Sequence, residues 1–152
     1  QHVKDSYVGL LFACRDALLV AAAGWQNRPM LEKNKSRPDT VWNNACIHMP
    51  LLIRKSWEAR VTFGLWNTSE PNRAIKLSAD VATQRRHFGI LSDIGHERGL
   101  VLRPADCALR IGHTLPIQND LFADIATRLA KEVWPVAQSA YDRIVAASDS
   151  ET

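Results

Sequence analysis

With 152 residues, 46% of them hydrophobic and 23% charged, the chain can bury a core of its own and is not an intrinsically disordered segment. Its net charge of +3 arises from 19 Lys and Arg set against 16 Asp and Glu, scattered without a block of either sign. That balance permits a nucleic-acid partner but does not support one.

The first predicted helix runs from about Val3 to Gly24, with Tyr7, Leu10, Leu11, Cys14, Leu18, Ala21 and Trp25 on one stripe. This is the most apolar stretch of the chain, but Arg15-Asp16 at its middle disfavours a membrane span. A polar connection from Gly24 to Lys35 follows. The second helix is expected from Pro38 to about Trp66, opened by Ser36-Arg37-Pro38-Asp39 and kinked or split at Pro50. Proline suits a first helical turn, where its missing N–H would be unpaired anyway, and Ser, Thr or Asp there can cap the orphan donors.

Thr68-Ser69-Glu70-Pro71 marks the next start, and the third helix spans about Asn72 to Ile94. Gly99 is its expected stop, followed by a short extended piece from Leu100 to Leu102. A short helix is read from Pro104 to about Gly112. The last runs from about Ile117 to Ala147 on a near-heptad seam of Leu121, Ile125, Leu129, Val133, Val136, Ala140 and Ile144, with Pro135 bending it. The expected fold is therefore all-α: one domain over residues 1–152, an antiparallel bundle of four long helices plus one short helix. Phe122, Ala126, Trp134 and Ala137 lie off the seam and could bury against a second copy, making a homodimer through the last helix.

Three cysteines, Cys14, Cys46 and Cys107, are an odd number without a CxxC, which reads as reduced thiols in a cytoplasmic protein. One disulfide between Cys14 and Cys46 stays open. No cysteine has a histidine partner recognisable from spacing, and phosphate loops and a GxSxG nucleophile elbow are absent.

The chemistry centres on the second predicted helix, where Ile47, Leu51, Arg54, Glu58, Val61 and Leu65 share one face. An Arg/Glu pair at the centre of an apolar face should be partly buried, pairing internally or with Asp16 or Arg15 of helix one. Two readings follow: an i,i+4 ion pair that sets register, or a polar pocket floor binding a phosphate, nucleotide or carboxylate through the Arg54 fork. Asp93 and His96 could supply two metal ligands but lack a third, so no metal and no cofactor is expected. Arg86 and His87 complete the candidate ligand-binding set of Arg54, Glu58, Asp16, Arg86 and His87.

The segment His48-Met49-Pro50-Leu51-Leu52-Ile53-Arg54-Lys55-Ser56-Trp57-Glu58-Ala59, followed by Phe63-Gly64-Leu65-Trp66 and a proline break, resembles bacterial all-helical HEPN-like proteins. Ribonuclease members of that superfamily carry an Arg with a His after it on a late helix, at a spacing that neither Arg110-Ile111-Gly112-His113 nor Arg86-His87 reproduces. The resemblance therefore implies a non-catalytic member of a defence or regulatory system. The length and the stretch Arg103-Pro104-Ala105-Asp106 are also similar to globins, which would make His87 or His96 a haem ligand. The leading expectation is an interaction or small-ligand-binding module taking a small anionic ligand or a protein partner. The alternatives are a phosphoester-cleaving bundle, in which Arg54, Glu58, Arg86 and His87 converge on a phosphate, and a haem- or metal-binding bundle.

Overall fold

Residues 46–67 hold Ile47, Ile53, Trp57, Val61, Thr62, Phe63 and Trp66, β-branched and aromatic side chains that suit a pleated, half-buried surface better than a helix. The computed structural model describes residues 2–23, 36–67, 74–116 and 119–150. Its elements run α1 (His2–Ala21), α2 (Pro38–Asn44), β1 (Cys46–Ile53), β2 (Ser56–Asn67), β3 (Ile75–Thr83), α3 (Phe88–Arg98), β4 (Val101–Arg103), β5 (Ala108–Thr114) and α4 (Phe122–Ser150). Short 3₁₀ turns occupy Arg85–His87, Pro104–Asp106 and Asn119–Leu121.

The five strands form one antiparallel sheet in the order β1-β2-β3-β5-β4. The fold is mixed α and β, which overturns the all-α helical bundle. The long second helix is only α2, ending at Ala45 in the left-handed region, followed by the β1–β2 hairpin. The third is β3 and α3, and the short helix after Pro104 is a 3₁₀ turn leading into β5.

The reason lies in the two faces of the sheet. Ile47, Met49 and Leu51 of β1, Ala59, Val61 and Phe63 of β2, Leu77, Ala79 and Val81 of β3, and Leu109 of β5 turn inward and join one buried cluster with α1, α3 and α4. In β3, however, Ser78 and Ala82 on the other face are also buried. The strict period of two is blurred there, so spacings of three and four appear by coincidence. Pro50 does not kink a helix. It sits in β1, an edge strand, where the sheet tolerates a missing donor.

Two expected helices do form. α1 buries Leu10, Leu11, Cys14 and Leu18, and α4 buries Leu129, Val133, Val136, Ala140 and Ile144 of the seam, while Leu121 is exposed. The two pack together, with the Tyr7 and Phe122 rings stacked 5.8 Å apart. Phe122, Ala126, Trp134 and Ala137 are all buried within the chain. Gly99 ends α3 at φ 65°, in the left-handed conformation that glycine adopts without a Cβ penalty. The connection over 24–35 and the start signal at Pro71 lie outside the described residues. All three cysteines are free, Cys14 and Cys107 buried and Cys46 partly exposed, so Cys14 and Cys46 are not paired.

Candidate functional site

The β1–β2 hairpin is irregular at its tip, and the irregularity builds a site. Leu51 pairs with Ala59 but Leu52 pairs with Trp57, so Glu58 is an extra residue with no partner on β1. Such a bulge re-aims side chains. Glu58 and Ala59 are buried in succession, breaking the alternation of β2, and Glu58 is turned into a cleft beside α4. Gln84 clamps the bulge from the end of β3: its N–H donates to Glu58 O at 3.3 Å and its side-chain amide to Trp57 O at 3.1 Å. Because Gln84 precedes the 3₁₀ turn Arg85–His87, that clamp also delivers the next residues onto the carboxylate.

Arg86 Nη2 donates to Glu58 Oε1, and His87 Nε2 lies 3.1 Å from Glu58 Oε2. Arg86 Nε lies 3.2 Å from the same histidine nitrogen. One ring nitrogen cannot donate to the carboxylate and accept from the guanidinium at once. The Glu58 side chain is only 11% exposed, so the tautomer with the proton on Nε2, which brings it a second donor, satisfies it best.

The cleft has a volume of about 350 Å³, with Ile53, Arg54, Ser56 and Glu58 on the hairpin side, Arg86 opposite, and Val145 and Ser148 from the last turns of α4. Arg54 and Lys55 form the two-residue turn at φ 53° and 70°. Two left-handed residues there match a type I′ hairpin, a turn that favours Asn-Gly. Neither Arg54, Lys55 nor Arg85 makes an ion pair among the described residues.

The structure thus brings Arg54, Glu58, Arg86 and His87 together, but by a different route from the expected one. Arg54 and Glu58 are not an i,i+4 helical pair: Arg54 is an exposed turn residue, and the partners of Glu58 come from residues 86 and 87. Asp16 does not join them. It is exposed on α1, bonded to Arg15 at 2.8 Å, and does not line the cleft. Gln84 and Lys55 escaped the sequence reading, because a glutamine carries no cap or turn signal and Arg-Lys is an unusual type I′ pair.

A second cavity, about 420 Å³, lies between α1, α2 and the far ends of β2 and β3, with Tyr7, Leu11, Val41, Trp42 and Leu65 in its wall and no charged residue among the described residues lining it. His96 is exposed on α3, and among the described residues no cluster of three or more His, Cys, Asp or Glu is placed to hold a metal ion. No helix among them is long and apolar enough to cross a membrane. Set against family models, curated proteins and solved structures, the chain matches none of them.

Proposed function

We propose that this chain is a non-catalytic module that binds a small anionic ligand, one bearing a phosphate or carboxylate, in the cleft at the tip of the β1–β2 hairpin. The observation that carries the reading is the strained turn at its mouth. Holding Arg54 and Lys55 in the left-handed region costs about 1 kcal/mol each relative to glycine, and such strain clusters at ligand clamps. Two cations, Arg54 and Arg86, line a cleft whose lining among the described residues holds one carboxylate, Glu58.

Titration with inorganic phosphate and pyrophosphate, followed by amide chemical shifts, tests this. Saturable shifts at residues 54–58 and 84–87 are expected, with Arg54→Ala and Arg86→Ala each weakening binding about tenfold, the value of one charge-assisted hydrogen bond. Unchanged affinity in both variants overturns the reading. The convergence of Arg54, Glu58, Arg86 and His87 is also what a phosphoester-cleaving centre requires. Release of nitrophenol from bis-nitrophenyl phosphate, lost in His87→Gln, would establish that second reading instead.

A further inference from the structure

The face of the sheet turned away from the helices carries its own chemistry, independent of the cleft. On β1, the Cys46 thiol lies 3.6 Å from His48 Nε2, and His48 Nδ1 lies 2.7 Å from Thr62 Oγ1 on β2. One tautomer satisfies both contacts: Nδ1 carries the proton and donates to Thr62, leaving Nε2 to accept from the thiol. Residues i and i+2 of a strand share a face, and His48 pairs with Thr62 in register, so the geometry is fixed by the sheet rather than by a loop.

Beside Cys46 in the next register positions lie Gly64, Ser78 and Gly112, a row of small side chains crossing the sheet. Larger groups rise on either side. Trp66 stands along one flank, with the Arg110 guanidinium 5.1 Å and the Lys76 amine 5.5 Å from its ring. Thr62 and Asp80 stand along the other, and Arg110, joined to Asp80 by paired bonds of 2.9 and 3.0 Å, reaches across the row to Trp66. Arg60, stacked 4.9 Å over Trp57, is close enough for its charge to act on both Cys46 and His48.

We infer that Cys46, with His48 as its base and Thr62 as a positioning residue, is a nucleophile for thiol–disulfide exchange with small disulfides that carry an anionic group. In the step, His48 Nε2 takes the thiol proton as Cys46 Sγ attacks one sulfur of the disulfide. A new S–S bond forms, the old one breaks, and the departing thiolate takes its proton from the imidazolium or from water. Exchange places its developing charge along three sulfurs and needs no oxyanion hole, which suits a nucleophile on an open sheet. Arg60 supplies attraction for the anionic group.

The electrostatics favour a resting neutral pair. Burial pushes the Cys46 thiol up, with the Arg60 charge pulling the other way. Burial, and then the same Arg60 charge, hold His48 below the ordinary imidazole range, which favours the neutral ring. Asp80 and Arg110 on this face neutralise each other, and Lys76, also on this face, lies over the Trp66 ring. Cys14 gives the internal contrast: it is fully buried, so a reagent in solution cannot reach it, whereas Cys46 is partly exposed.

The test is stopped-flow reaction of the native protein with dithionitrobenzoate, a dianionic disulfide, and with neutral dithiodipyridine, with intact mass to locate the adduct. One fast thiol is expected, absent in Cys46→Ser. His48→Gln should slow it at pH 7 by about a hundredfold, at the lower end of general-base contributions, and leave a rate that simply rises with thiol ionisation. Thr62→Val should slow it and Thr62→Ser restore it. Arg60→Gln should slow the dianionic reagent and spare the neutral one. Equal rates in wild type and His48→Gln, or modification of Cys46 only after unfolding, would overturn the assignment.

Discussion

Arg54 and Lys55 show how one pair of residues can trade stability for chemistry. Both occupy a conformation that Asn-Gly adopts freely, so Arg54→Asn combined with Lys55→Gly should raise the unfolding free energy by about 1–2 kcal/mol. The same double variant should lose phosphate-dependent chemical shifts; urea denaturation and titration read the two effects separately. Glu58 acts in the opposite direction. It binds Arg86 and His87, so Glu58→Gln should tighten phosphate binding several-fold by freeing Arg86 from a competing charge. Weaker binding in that variant would mean that Glu58 contacts the ligand itself. These residues were legible as candidates because a charge set among apolar neighbours is visible in the chain. Their pairing was not, since a helical reading put Arg54 against Glu58 and the hairpin gives Glu58 to residues 86 and 87.

Among the elements, α3 depends on one close approach. A Cβ at Gly95 would stand 2.6 Å from Leu109 Cδ2 and 3.2 Å from Leu102 Cδ2, so Gly95→Ala should cost about 1–3 kcal/mol as α3 is forced off the sheet. Gly95 is a packing position inside α3, and Gly99 ends that helix. α3 is also tied to α4, by Arg143 donating to Glu97 at 3.1 and 2.7 Å. The Arg143 guanidinium holds Glu97 below its ordinary value of 4.5. A lowered carboxylate stabilises the fold above its unfolded value and loses that contribution as pH falls through the lowered one. Arg143→Gln should therefore flatten the fall in stability below pH about 4.5, while leaving the slope between pH 6 and 8 unchanged. α1 and α4 were readable because a helix carries its pattern within a few turns. β1 and β3 were not, because apolar or small residues on their outer faces hide the alternation.

Among the described residues, the helices pack against one face of the sheet. Its stability rests on the buried layer where α4 crosses β2 and β3, so Leu129→Ala, at a fully buried position, should cost roughly 2–5 kcal/mol in urea denaturation. The charged and nucleophilic groups sit apart from that layer. One set is at the tip of the β1–β2 hairpin, the other on the open face. Composition alone determined that this chain buries a core, and local periodicity determined α1, α4 and the charged residues worth testing. Only the tertiary structure decided that residues 46–67 are a hairpin, that a bulge aims Glu58 at Arg86 and His87, and that Cys46 meets His48. The physical reason is range: helical hydrogen bonds close within a turn. Strand pairing, register and bulges instead depend on partners far along the chain, and a shift of one residue moves every side chain to the other face.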